Sequence, residues 1–403
     1  MCQSTPLSGP IRLGARHPTR DATVKQEAGV SQVAASAPSI MVTRDDVAKL
    51  AGVSSATVSY VINSGPRPVS EETRRRVVQA IEALDYVPSA AARSLKIKRT
   101  GTIGLMIPDI LNPIFAELAK VIEDELLAAG HSVILCNSYE DPRRELVYLN
   151  MLWGKQVDGL VLISTSRNVQ TLYRFEKAKK PIVLVDRRVP HLAADCVLPD
   201  NEAGSYQAVR HLIACGHTRI GLINLPASLT PGEGRLAGYV RALGEAGLRL
   251  DPALVKEGPY TGKEGAATFR AMLELPRRPT AIFISNNRLA LGALQAIKGL
   301  GLRMPDDIAL AVFDDPSFYA VMTPSITAVS TPLQRYATEA TALLKARLSG
   351  SYTGAPRSVV IPQRLAVRES TTGRASPLSM EVATVTRRTA VRRGAKRPPA
   401  HLT

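Results

Sequence analysis

Polar side chains recur at the C-terminal ends of apolar runs in the long middle of the chain, where they could grip a small molecule. Asp109 and Asn112 follow one run, Asp186 and Arg187 another, Asn286 and Asn287 a third, and Asp314 and Asp315 a fourth; Arg235 opens a helical stretch after a Gly-rich loop. Asn and Asp can donate to and accept from vicinal hydroxyls, and Arg adds a planar fork for an oxygen or a phosphate, so together these residues suit polyol recognition. Each alone is also what a helix cap or a turn would use.

Catalytic patterns fit less well. GPYTGKE (258–264) has three residues between Gly and Gly-Lys where a phosphate-binding loop needs four, and it ends in Glu. GEGRLAG (232–238) only approaches a dinucleotide fingerprint and follows no clear strand, while His211 and His217 lie on a helix and its end, where a structural role is expected. No H-E-x-x-H motif or Ser/His/Asp order occurs, and Cys2, Cys136, Cys196 and Cys215 are scattered without a C-x-x-C pair. The expectation is reduced thiols, no metal, no cofactor and no enzyme. A sugar-modifying enzyme and a plain sugar-binding module are the opposing classes, and neither accounts for residues 41–100.

Those residues begin with VTRDDVAKLAGVSSATVSYVIN, which reads as two short helices around a tight turn. Thr43 with Asp46 three residues on forms a capping box, Val47, Ala48, Leu50 and Ala51 supply an apolar stripe, and Gly52 suits a left-handed C-cap. Ser54 caps a second helix to about Asn63 that turns Val58, Val61 and Ile62 inward and leaves Ser55, Ala56, Ser59 and Tyr60 outside. A third helix, capped by Ser70, carries Val77, Val78, Ile81 and Leu84 together with Arg74, Arg75 and Arg76. After Pro88, Ser89 can cap a short Ala-rich helix ending in Lys and Arg. Any small helical hairpin would fit the first pattern, but so would a helix-turn-helix whose second helix enters a major groove.

The elements that would hold the polar residues change character at Gly101. Short apolar runs at 102–108, 132–136, 159–163, 182–185, 220–225, 281–285 and 308–313 alternate with amphipathic stretches such as 112–129 and 288–300, the pattern of βαβ units over a parallel sheet. The seven runs fall into two groups on either side of Asp200. Ligands in such sheets bind outside the carboxyl ends of the strands, where the polar residues lie.

The 403 residues carry 51 Lys+Arg against 35 Asp+Glu, and the excess is concentrated at the ends. Residues 41–100 hold ten basic against six acidic residues and 374–403 hold seven against one, which points to a polyanionic partner. Segments 1–40 and 374–403 lack apolar periodicity and are expected to be disordered, with Met41 a candidate translational start. No apolar run reaches the roughly 18 residues of a membrane span, and no secretory signal is evident, so a cytoplasmic protein is expected.

DVAKLAGVSSATVSYVIN and VSEETRRRVVQAIEALDYVPSAAARSL resemble the bacterial transcription regulators of the lactose repressor and galactose repressor type, and the resemblance extends to about Ser370. It implies an all-α helix-turn-helix DNA-binding domain (41–88), a hinge helix and linker (89–100), and an α/β two-lobed, periplasmic-binding-protein-like effector and dimerisation core (101–373), with crossovers near Asp200 and after Pro324. By this resemblance Ser55, Ala56 and Tyr60 read bases, and Thr43, Ser54, Thr57 and Asn63 contact phosphates. Ser89, Ala92 and Lys96 belong to a hinge that meets DNA, with Leu95 wedged into the minor groove. Asp109, Phe115, Asp200, Arg235 in GRLAGY, Asn286 in ISNN and Asp315 in VFDD would contact the effector. The implied partners are double-stranded, pseudo-palindromic operator DNA, a sugar-like effector and a second copy of the chain, without a membrane. The pattern departs from the family at Tyr60, where many members carry Arg or His, and at Asn286-Asn287, where Asn-Asp is usual. The missing acid leaves room for an anionic sugar derivative.

Overall fold

The computed structural model describes residues 42–63, 67–87, 99–259 and 261–372, and the chain divides into two compact units, Met1–Pro88 and Ser89–Thr403. Ser89, Ala92, Leu95 and Lys96 of the expected hinge, Met41, and the segments 1–40 and 374–403 lie outside the described residues.

The first unit packs α1 (Arg44–Ala51), α2 (Ser55–Asn63) and α3 (Glu71–Ala83) around Val47, Ala48, Ala51, Val58, Val61, Val77 and Ala80. The capping box forms: the Asp46 amide donates to Thr43 Oγ1 at 3.3 Å and the Thr43 amide to Asp46 Oδ2 at 2.8 Å. Gly52 ends α1 at φ 64°, a left-handed conformation that a Cβ would penalise. Ser54 and Ser70 accept from the amides of Thr57 and Thr73, starting α2 and α3. Two core assignments need correction, because Leu50 (56% exposed) and Val78 (41%) lie outside the packed stripe.

The second unit contains two six-stranded sheets. The first is built from β1 (Thr102–Ile107), β2 (Ser132–Asn137), β3 (Gly159–Leu162), β4 (Ile182–Val185), β5 (Asp195–Pro199) and β11 (Ser358–Ile361), in the order β11-β5-β4-β3-β1-β2, every pair parallel. The second holds β6 (Ile220–Asn224), β7 (Val255–Glu257), β8 (Ala281–Ile284), β9 (Ala309–Phe313), β10 (Thr327–Ser330) and β12 (Arg364–Ala366), in the order β12-β10-β9-β8-β6-β7, with only β12 antiparallel. The helices are α4 (Pro113–Ala128), α5 (Pro142–Gly154), α6 (Val169–Lys177), α7 (Asn201–Ala214), α8 (Thr230–Glu245), α9 (Gly262–Leu273), α10 (Asn287–Gly299), α11 (Leu333–Ser349) and the short α12 (Glu369–Thr372).

Each sheet is covered on both faces, as parallel sheets require. Ile103, Leu105 and Ile107 of β1 enter one apolar layer with α4 and α11, while Met106 enters the other with α5 and α6. The chain crosses between sheets at Asp200, again through α11 after β10, and a third time between β11 and β12. Five strands (β5, β7, β10, β11, β12) lie beyond the seven apolar runs of the sequence, because they are short and carry polar or Pro residues.

Candidate functional site

On the first unit, Ser54, Ala56, Thr57 and Tyr60 border an open depression of about 460 Å3, together with Arg67 and Thr73, which sequence reasoning had not singled out. Ala56 is exposed and Tyr60 half-buried, so α2 presents a small, shallow surface with one phenol. Ser55 is turned elsewhere: its hydroxyl donates to Asp45 and ties the start of α2 to α1. Asn63 donates back to the Ser59 carbonyl at 3.0 Å. Thr43 is occupied as the cap of α1. The Asp46 carboxyl is held below its usual range by the hydrogen bonds from Thr43.

In the second unit the strand ends of the two sheets meet at a cavity of about 30 Å3, bordered by Asp186 and Arg187 after β4, Asn286 after β8, Asp314 after β9, Arg235 of α8, and the apolar faces of Phe115 and Tyr336. Its volume is room for no more than a water or two. Arg235 is 4% exposed; its Nε donates to Asn201 Oδ1 at 2.8 Å, its Nη1 donates to the Ser285 carbonyl, and its guanidinium stacks 3.7 Å from the Phe313 ring centre. The residue can lie so deep because α8 presses against α7 at Gly238, where a Cβ would come within 2.3 Å of the Glu202 carbonyl oxygen.

Both cavity carboxylates stand on left-handed backbone, Asp186 at φ 68° and Asp314 at φ 78°, a conformation that Asp tolerates better than most residues. The Asp186 amide donates to Tyr336 Oη at 2.8 Å, and that hydroxyl donates to the Val197 carbonyl at 3.1 Å. Burial pushes the Asp314 carboxyl up, with Arg235 opposing and Asp186 assisting. Burial lowers Arg235, and it lifts the Tyr336 phenol well above its ordinary range. Arg187 forms a two-pronged pair with Glu140, both bonds 2.7 Å, and lies 3.4 Å from Asp186. Two acids and two guanidiniums therefore line the cavity. The arrangement can hold vicinal hydroxyls against an apolar wall, and it has no excess of positive charge for an anion.

Of the residues expected to meet an effector, Phe115, Arg235 and Asn286 come together at this cavity, and Asp109, Asp200 and Asp315 lie off its lining. Asp200 caps α7, accepting from the Ala203 amide at 3.0 Å. Asp315 is gripped by Arg368 through bonds of 2.7 and 2.8 Å, and its neighbour Asp314 takes the cavity position. Asp109 accepts from the Leu111 amide and pairs with Arg288 at 3.5 Å. Asn287 turns its side-chain amide to Asn112 and does not border the cavity. Tyr336 and Thr331 also line it and carried no local signal, since both belong to the crossover that returns from β10. Asp186 and Asp314 had the right signal, a polar residue at a strand end.

The two histidines are structural: His211 Nε2 lies 2.7 Å from Thr371 Oγ1 and His217 Nδ1 2.9 Å from Thr280 Oγ1. Among the described residues no group of three or more His, Cys, Asp or Glu could hold a metal ion, and no helix is long and apolar enough to cross a membrane.

Comparison with known proteins bears on both sites. Residues 43–89 match the model of bacterial regulatory proteins, lacI family, and residues 209–371 that of the periplasmic binding protein-like domain. A relative from Aliivibrio salmonicida, the HTH-type transcriptional repressor PurR, is 37% identical over 313 residues, covering 77% of this chain and 94% of its own. Among solved structures, the Lac repressor dimer bound to operator and an anti-inducer superposes with TM-score 0.71 at 27% identity, over 82% of this chain and 99% of that one. The transcriptional regulator CelR in complex with cellobiose gives 0.62 at 32% identity, over 82% and 99%. The chain belongs to the lacI family of bacterial regulatory proteins, and is a DNA-binding transcriptional regulator with a two-lobed small-molecule core, not an enzyme.

Proposed function

We propose that this repressor reads a pseudo-palindromic operator as a homodimer through α2 and is switched by an uncharged sugar held between Arg235, Asn286, Asp186 and Asp314. The cavity carries this reading: at the facing strand ends of the two sheets it gathers two carboxylates, two guanidiniums and an amide beside the Phe115 and Tyr336 rings, the mixture a polyol needs on its hydroxyl edge and its apolar face. A cellobiose complex of a relative supports the ligand class. Asp315 and Asp200, occupied elsewhere, play no direct part. On the DNA side, Ala56 and Tyr60 face the bases, with Ser54, Thr57 and Arg67 on flanking phosphates. Tyr60 offers one hydroxyl and a ring, so it cannot make the two-pronged guanine contact of an Arg. Residues 89–96 are assigned to the hinge that meets the operator centre, and a coupling of a few kcal/mol between cavity and hinge suffices for switching. A cytoplasmic location follows from DNA as the partner.

The test is selection of random duplexes by the full chain at near-physiological salt, repeated with a panel of neutral and phosphorylated sugars. Enrichment of a two-fold-related site whose occupancy responds to a neutral sugar is expected. Enrichment with a response confined to phosphorylated sugars would overturn the ligand assignment, and failure to enrich under any condition would overturn the operator assignment.

A further inference from the structure

The two sheets of the second unit are bridged by a polar clasp. Asn112 is the N-cap of α4 and Asn287 the first residue of α10; Asn287 Nδ2 donates to Asn112 Oδ1 at 2.7 Å, and both residues are buried. The same Asn112 oxygen accepts from the Ile114 amide at 3.1 Å. Three residues before Asn112 and one after Asn287, Asp109 pairs with Arg288 at 3.5 Å. The clasp is wired to the cavity from both sides. The Asn287 backbone N–H donates to Asp314 Oδ2 at 3.4 Å, and α4, which Asn112 caps, carries Ile114, Phe115 and Leu118 into the cavity wall.

Asn287 is suited to this contact where an acid is not. Asn112 presents to α10 the same oxygen that caps α4, so the facing residue must supply a donor. An Asp in its place would set a carboxylate against that oxygen, with the Asp314 carboxylate already behind it.

We propose that Asn287 is a positioning residue that clasps the two lobes shut across the cleft, with Arg288–Asp109 as its outer half, and so gates entry to the cavity. A space of about 30 Å3 cannot take a sugar, so the lobes must part for one to enter, and the buried Asn287–Asn112 bond must break along with the weaker contact from the Arg188 amide to Thr230 Oγ1 at 3.4 Å. A net hydrogen bond of this kind shifts a closed-to-open ratio by roughly fivefold. The clasp is a property of the protein without ligand; only its gating of a sugar rests on the reading of the cavity as the effector site.

The experiment measures the distance between spin labels on Glu123→Cys of α4 and Lys298→Cys of α10, two exposed positions on opposite lobes, in the full chain with Cys2→Ser and Cys215→Ser and no ligand. Cys136 is buried with its thiol pushed up to about 11, and Cys196 is buried. With the labelled chain diluted in unlabelled chain to suppress distances between protomers, the parent should give one narrow population. Asn287→Ala and Asn287→Asp should add a longer-distance population, whereas Asn112→Asp, which still accepts from both Ile114 and Asn287, should stay narrow. Asn287→Ala indistinguishable from the parent, or Asn112→Asp opening as widely as Asn287→Ala, would overturn the clasp. In a second arm with ribose and cellobiose as probes, Asn287→Ala should bind whichever sugar the parent binds with a faster association rate. If neither binds any variant, the effector reading fails while the distances still decide the clasp.

Discussion

Arg235→Met is the most informative single change, because one side chain anchors the cavity both structurally and chemically. The guanidinium is 4% exposed and supplies the donors for Asn201 Oδ1 and the Ser285 carbonyl, besides stacking on Phe313. Methionine retains some of the volume against Phe313 but leaves both acceptors without a donor and removes a cation that opposes the burial of Asp314. Stripping one member from a buried charged cluster costs about 3–5 kcal/mol, which in a domain of this size lowers the melting temperature by roughly 10 °C. Arg235→Lys keeps the charge but not the planar fork or the stacking, and should lose about half as much.

Two readouts separate the roles. Melting followed by circular dichroism reports the anchor, and fluorescence anisotropy of operator DNA with and without the responding sugar reports the switch. The Met variant should melt early and, at a temperature where it is still folded, show no sugar response. A melting temperature within about 2 °C of the parent would refute the structural argument, since a shift so small corresponds to no more than about 1 kcal/mol. A retained response would place the sugar outside this cavity.

Gly52→Ala should destabilise the helix-turn-helix by about 1–2 kcal/mol: the residue sits at φ 64°, and the new Cβ would meet only Arg76 Nη1 at 3.8 Å, so the cost is conformational rather than steric. Gly52→Asn should recover part of it; equal losses from both in urea titrations would mean that packing, not backbone, sets the requirement. His211 gives the second unit a pH dependence of definite sign. Burial, with His217 nearby, holds its imidazole below the ordinary 6.5, so its contribution to stability is complete above that value, where neither state is protonated, and is lost as the pH falls from there through the depressed value, because the unfolded chain takes up the proton first. His211→Gln, which can still bond Thr371, should reduce the slope of melting temperature below pH 7 to the part that His217, also lowered by burial, supplies, and a slope identical to the parent's would exclude His211 as a source.

The parts legible in the sequence are those whose physics is local. Thr43 with Asp46, Gly52, Ser54 and Ser70 are cap and turn residues whose chemistry acts within four positions, and each forms the local bond or backbone conformation its type demands. The rule that ligands sit beyond parallel strand ends likewise nominated the four junctions that border the cavity or the clasp. What stayed hidden depends on partners far along the chain. β5 begins with Asp195, a residue that argues against a strand until Arg347, 152 positions later, arrives to neutralise it. Tyr336 reaches the cavity only because α11 crosses back to the first sheet. Asp314 and Asp315 are chemically equal and adjacent, and a left-handed turn at Asp314 sends one to the cavity and the other to Arg368. Sequence can name the pair, but the choice between its members belongs to the backbone. The same holds for Asn287: its missing charge reads as a change in ligand preference, and only the position of Asn112 on the opposite lobe turns it into a hydrogen-bond donor across the cleft.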